Sequence, residues 1–302
     1  MVTGGTSMNT GNLKYQFAKL SIAEKIIAVT VGVFILNSLI PFLFRLPSNA
    51  ISKWFELPNV ISQFIVQPWS LITYGFFHGG LGHIFWNMLM LYFASRIFLN
   101  LFSSQRFINV YFLGIIAGGL VYMLSYTIFP AFINATTSLI GASAGVTAVL
   151  IFVCTYVPHQ EVRVILFNVK LWQIGVFLVL FDVIQIPLSG NSGGHIAHLG
   201  GAVLGYAYAT QLGKGNDIGG WFEQLRNTII GWLKPSQKKA PMKTVYKSNS
   251  PKRSSNTKTV NYDQEAKQRK INAILDKIGK AGYESLSKEE KDFLFKVGKE
   301  DS

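Results

Sequence analysis

Charge and cysteine are what this chain has least of. Only 14% of its 302 residues are Asp, Glu, Lys or Arg, against about a quarter in soluble domains. Meanwhile 49% are hydrophobic and the mean hydropathy is +0.31. That excludes an ordinary soluble domain and points to a membrane protein. The single cysteine, Cys154, excludes a disulfide framework and a cysteine-based metal site. Set in an apolar run, it reads as a small core residue. Acidic residues are especially scarce early: residues 1–213 hold four against nine Lys and Arg, a surplus of +5. Residues 214–302 hold eleven against nineteen, a surplus of +8. The tail has soluble composition and the body does not, so a boundary falls near Gly213.

Four segments follow. Residues 1–22 are polar and read as a flexible cytoplasmic lead-in. Residues 23–213 are the membrane domain, 214–261 a basic disordered linker, and 262–302 a small helical hairpin. Apolar runs near the roughly 20 residues a bilayer requires occur at Ile26 to Phe44, 71–95, 107–129, 139–157, 171–187 and 195–212. The first lacks a small-residue cleavage site and reads as a retained helix, not a signal peptide. Residues 45–68, with Trp54 and Glu56, are too polar to span and too aromatic for full solvation, and suit the membrane interface. The expected fold class is therefore an all-α membrane protein of six transmembrane helices.

Orientation follows from the short loops. Arg96 and Arg106 flank the second turn, Arg163 and Lys170 the fourth, and loops 130–138 and 188–194 carry no charge. Cytoplasmic loops collect Lys and Arg, so both termini are expected in the cytoplasm, in a bacterial inner membrane. The second, fourth and sixth helices then all run inward from the outer face.

Near those outer ends lies a set of polar residues. The fourth helix carries Gly141-Ala142-Ser143-Ala144-Gly145, the sixth His195-Ile196-Ala197-His198-Leu199-Gly200-Gly201, and the second His78, His83 and Asn87. Small residues every fourth position bring helices close, which lets a short Ser side chain reach an imidazole. Serine is a weak nucleophile until a base takes its proton, and His does so near neutral pH. An amide, a second imidazole or a backbone N–H can stabilise the oxyanion. Polar residues at membrane depth are costly and mark function by default.

The motifs HGGLGHIFWNM, GASAG and AHLGGAVLG, in that order over roughly residues 69–213, resemble those of the rhomboid family of intramembrane serine proteases. The resemblance implies a six-helix bundle around a short fourth helix, with a water-filled cavity opening outward. It implies Ser143 as nucleophile and His198 as general base of a dyad that packing, not a carboxylate, holds in place. His83, Asn87 and the Ser143 N–H would be oxyanion donors, and His78 and His195 possible cavity-mouth residues. No cofactor or metal is implied. The chain departs from the family at Ala144, often Gly there, and at Thr147, where many members pack an aromatic on the catalytic imidazole. Trp54 is followed by Phe55, so the Trp-Arg pair of many first loops is missing too.

Two further residues have plain readings: His159 is solvated, and Asp182 pairs with polar groups near the outer end of the fifth helix, with a proton relay as its alternative. The expected partners are single-span membrane substrates, the lipid bilayer, and an anionic inner leaflet for the basic run Lys234 to Lys258; nucleic acid is not expected. Ile271, Ile274, Leu275 and Ile278 share a helix face, and Ser287-x-x-Glu290 opens a second helix. So short a hairpin needs an unknown protein partner to bury its stripe. The runner-up function is a catalytically impaired rhomboid-like pseudoprotease that binds transmembrane helices. A six-span transporter would show repeats or broken helices near the midplane, and neither is visible.

Overall fold

The computed structural model describes residues 10–164, 167–233 and 260–300. They form two compact units, divided after Pro235.

The first unit opens with α1 (Thr10–Lys19), inside the stretch expected to be flexible. Then α2 (Ile22–Leu43) starts at a capping box in which Ser21 and Glu24 satisfy each other's backbone N–H groups. The first loop holds β1 (Leu57–Pro58), α3 (Ile61–Val66) and α4 (Ser70–Thr73). Ile61, Ile65 and Val66 on α3 are exposed, as an interfacial segment requires. Next come α5 (Leu81–Leu101), α6 (Ser104–Ile128), β2 (Ser138–Leu139) and α7 (Ser143–Tyr156). A β hairpin, β3 (Glu161–Val164) and β4 (Phe167–Lys170), leads into α8 (Leu171–Leu188), α9 (Ser192–Gly213) and α10 (Gly220–Leu233).

Four helices, α2, α5, α6 and α8, are long and apolar enough to cross a membrane. Two departures from the sequence reading shape the site. The second span begins at Leu81, not near residue 71, because the chain turns at His78-Gly79-Gly80; His78 therefore lies outside α5. The fourth helix begins at Ser143 itself, because Leu139 is taken up by β2, which pairs with Leu57 of β1. Asn59 fastens the same loop, donating to the Ala135 carbonyl at 2.7 Å and accepting from the Thr137 N–H at 3.0 Å.

Small residues pack α6, α7 and α9 backbone to backbone. A Cβ on Gly201 would collide with the Ala144 carbonyl, and one on Gly205 with the Ala148 carbonyl. Each pair advances by four residues, so α7 and α9 run parallel. From α6, Gly118 faces Ala144 Cβ, 2.5 Å from the place of its own missing Cβ, and the Ala197 carbonyl at 2.7 Å. The core between them is closed by Tyr111, Phe152 and Tyr208, all fully buried.

The boundary expected near Gly213 moves. Asp217 bonds Arg106 at 2.9 Å and Tyr208, and the Asn109 amide donates to the Gly219 carbonyl at 3.2 Å. These contacts draw the chain past α9 onto α6, and α10 continues within what read as linker. Burial pushes the Asp217 carboxyl up, but hydrogen bonds from Tyr208, Arg106 and the Gly219 N–H, with the Arg106 charge, outweigh it and hold the group below its ordinary value. The basic run from Lys234 to Lys258 lies outside the described residues.

The second unit consists of α11 (Val260–Ala281) and α12 (Lys288–Glu300). Gly282, at φ +78°, turns the chain between them. Ser287 and Glu290 make both bonds of a capping box, and Lys277 reaches Glu290 at 3.0 Å.

Candidate active site

Ser143 is the first residue of α7, and no side chain caps that helix. The Gly141 N–H is bound to the Tyr74 carbonyl at 3.0 Å, and the Ala142 N–H to His78 Nε2 at 3.4 Å. The first ladder bond of α7 comes from Val146. The N–H groups of Ser143, Ala144 and Gly145 thus have no acceptor within the helix, as at any helix start. They are available to an anion.

Gly141 makes this approach possible. Its φ of +122° is one that side-chain-bearing residues rarely adopt. A Cβ there would sit 2.7 Å from His83 Nε2 and 3.6 Å from Ser143 Oγ. The His83 ring and the Ser143 hydroxyl therefore share the space over a bare backbone. His83 Nδ1 accepts from the Gly79 N–H at 3.4 Å, which leaves its single proton on Nε2, facing Ser143.

His78 is corrected from cavity mouth to brace. It is buried, 4% exposed, and holds the Ala142 N–H that precedes the serine. Its ring lies 4.9 Å from that of His83. Asn87 is also more occupied than expected: one of its N–H groups donates to its own helix, at the His83 carbonyl, 2.9 Å away. Its second N–H remains for the site.

His198 and His195 both meet Asp182 of α8. His198 Nδ1 lies 2.8 Å, and His195 Nδ1 2.7 Å, from the same oxygen, Oδ1. With Asp182 ionised it can only accept, and both imidazoles donate to it from Nδ1. The tautomer is set by that partner, and His198 Nε2 keeps a free lone pair, which a general base requires. Asp182 is buried, its side chain 9% exposed. The expectation that no carboxylate orients the base is overturned in this chain. The plain reading of Asp182, pairing with polar groups, identified the bond type and missed the partner. Its signal was visible: a lone acid in an apolar helix is costly enough to demand a partner. His195 is correspondingly not a free cavity-mouth residue. Its ring packs 5.6 Å from that of His198, with Phe181 behind it at 6.3 Å. These rings flank the imidazole that an aromatic at position 147 would otherwise support.

Parallel packing of α7 and α9, with Gly201 against the Ala144 carbonyl, brings Ser143 to the same level as His198, one turn before Gly201. Among the described residues no direct hydrogen bond joins Ser143 Oγ to His198. Catalytic hydrogen bonds commonly tighten only around bound substrate. Beside the serine lies a polar cavity of about 280 Å³ lined by His83, Tyr122, Thr137, Asn191 and Gly193 among others. A larger apolar cavity, about 710 Å³, runs along Cys154, Trp172 and Tyr206 between α7, α8 and α9. His159, in the turn before β3, takes no part.

Residues 66–215, which hold every site residue named above, match the rhomboid domain; residues 257–299 match a family of unknown function. The mitochondrial presenilin-associated rhomboid-like protein of Rattus norvegicus is 31% identical over 207 residues, 66% of this chain and 53% of that protein. Its Homo sapiens counterpart is 30% identical over 184 residues, 59% of this chain and 47% of that protein. RHOMBOID-like protein 12, mitochondrial, of Arabidopsis thaliana is 27% identical over 157 residues, 48% of this chain and 47% of that protein. The chain spans about half the length of these curated relatives. Their names point to mitochondria and overturn the bacterial inner-membrane assignment; basic loops tell which side of a membrane faces inward, not which membrane it is. On the domain match and these relatives together, the chain belongs to the rhomboid family.

Proposed function

We propose that the chain is an intramembrane serine endopeptidase in which α7 and α9 join the four long apolar helices to complete a six-span bundle. Ser143 Oγ attacks the scissile carbonyl as His198 Nε2 takes its proton. Asp182 is a positioning residue, holding the Nδ1–H tautomer and favouring the imidazolium that forms. The Ser143 N–H, His83 Nε2–H and the second Asn87 N–H stabilise the oxyanion. His198 then returns the proton to the leaving amine, and water from the polar cavity hydrolyses the acyl-enzyme. Substrates are single-span proteins whose helix weakens near the outer face, where Gly, Pro or Ser lets a peptide bond unwind.

The observation that carries this reading is the pair of Nδ1 contacts, His198 to Asp182 Oδ1 at 2.8 Å and His83 to the Gly79 N–H at 3.4 Å, which leave Nε2 of each ring for the chemistry. The test is cleavage of a single-span protein by purified enzyme in liposomes. Ser143→Ala and His198→Ala should abolish it, and labelling by a serine-directed phosphonate should disappear with Ser143→Ala. Undiminished cleavage by both variants would end the proposal.

A second reading keeps one specific support, the missing Ser143–His198 hydrogen bond. It is a pseudoprotease that binds transmembrane helices without cutting them. Capture of uncut single-span proteins, with no phosphonate labelling of wild type, would favour it.

A further inference from the structure

We propose that Asp182, His195 and His198 form a binding site for a divalent transition metal, Zn²⁺ by preference, that switches the protease off. The inhibition rests on the serine-protease reading above; the metal site itself does not.

Three donors of the right kind converge. A ring nitrogen of each histidine and a carboxylate oxygen of Asp182 all lie within 4.8 Å of one another, and both Nδ1 atoms already touch Asp182 Oδ1. Two imidazoles and one carboxylate are a common zinc donor set, leaving a fourth position for water. Zinc bonds of about 2.0–2.2 Å in tetrahedral geometry put donors roughly 3.3 Å apart. The observed 2.7 and 2.8 Å contacts would open by about half an ångström around the ion. His195 and His198 sit one turn apart on α9, whose backbone is held against α6 and α7, so the two rings are presented together. Side-chain exposures of 12% and 21% leave the two imidazoles partly accessible. Calcium and magnesium prefer oxygen ligands, whereas imidazole suits zinc.

The consequence for catalysis is one of proton bookkeeping. A neutral imidazole carries one proton. With Asp182 as partner, that proton is on Nδ1 and His198 Nε2 is a base. With Zn²⁺ on Nδ1, the proton moves through solvent to Nε2, with no net release. His198 Nε2–H is then a donor and cannot accept the proton of Ser143. The carboxylate that positions the base and the second imidazole beside it become the ligands that disable it.

The experiment has two arms on full-length protein. In the first, Zn²⁺ binding is measured by equilibrium dialysis, and Co²⁺ binding by its visible absorption, on wild type and Ser143→Ala. One equivalent should bind to both, with the absorption of a tetrahedral site. His195→Ala should lower affinity by about tenfold or more, and Asp182→Asn should do likewise, each being compared only after its melting temperature shows it folded. In the second arm, Zn²⁺ should inhibit wild-type cleavage and EDTA should reverse it. Mg²⁺ should have no effect, and His195→Ala, scored against its own metal-free rate, should need about tenfold more Zn²⁺. Absence of stoichiometric binding to Ser143→Ala, or binding unmoved in both folded variants, overturns the metal site. Binding without any cleavage by metal-free wild type leaves the site standing and instead refutes the protease reading.

Discussion

Replacing Asp182 by Asn should slow the chemical step without weakening substrate binding. The carboxylate accepts from His198 Nδ1 at 2.8 Å while 9% exposed, so water cannot easily replace it. A hydrogen bond to a charged group contributes about 1.5–3 kcal/mol. At about 1.36 kcal/mol per decade of rate, losing it costs roughly one to two orders of magnitude in kcat. The loss can be larger, because the amide can present its NH₂ to Nδ1 and force the proton onto Nε2. In a Ser-His-Asp triad that change costs up to about 10⁴. The assay is steady-state cleavage of a single-span substrate in liposomes, with kcat and KM resolved. A positioning role predicts that kcat falls while KM holds; a merely structural Asp would lower the fraction of active enzyme and leave phosphonate reactivity per folded molecule intact. If Asp182→Asn folds and keeps kcat within about twofold of wild type, the carboxylate does not position the base and the tautomer argument fails.

Three other perturbations probe the frame around that bond. Gly201→Ala would place a methyl group on the Ala144 carbonyl; overpacking of this kind costs about 1–3 kcal/mol, read by denaturation in detergent, and should reduce cleavage as α9 is pushed from Ser143. Gly141→Ala meets both a φ of +122° and His83 Nε2 at 2.7 Å, so activity should fall by up to the roughly 10²–10³ that one oxyanion donor supplies, with KM little changed. Asp217, held below the ordinary carboxylate range, binds fewer protons folded than unfolded. Its stabilisation is full above about pH 4 and is lost as pH falls through its lowered folded value. The stability gap between wild type and Asp217→Asn, followed by thermal melting in detergent, should therefore be open near neutral pH and close on acidification.

The proposed pair, Ser143 and His198, could be picked out because polar residues in apolar helices stand out, and the small-residue spacing of α7 and α9 announced the close contact of those helices. What escaped depended on partners distant in sequence. Asp182 could be seen as costly, but nothing local shows that it meets α9. Ser143 read as lying inside an apolar run from Leu139. Only the pairing of Leu139 with Leu57 converts that run into a strand and a turn, and so puts the serine at an open helix end. His78 and His83 look alike in the sequence, yet Gly79-Gly80 ends the regularity between them and gives them opposite tasks. Asn87 shares a face with His83, as its spacing implied, but that same spacing lets its amide fall back on the His83 carbonyl. The helix α10 is missed within the linker because the contacts of Asp217 and Asn109 that hold the chain before it are long-range.

The placement of Asp182 on α8 ties the state of the base to the position of one helix. While α7 and α9 touch through their backbones, α8 buries only Leu171, Gly175 and Asp182. Leu171 and Gly175 lie in its N-terminal half; in its C-terminal half Asp182 is the buried residue, and it joins α9 through both histidines. A shift of the outer end of α8 by an ångström or two lengthens the 2.7 and 2.8 Å contacts past hydrogen-bonding range. His198 then loses what sets its tautomer, and a buried carboxylate is left to find water. Opposing costs follow: α8 is loosely held by packing, yet parting it from α9 exposes a charge that the closed arrangement satisfies. The Asp182 bonds therefore join α8 to α9 with the same oxygen that holds His198, so on the proposed mechanism the base depends on these two helices staying together.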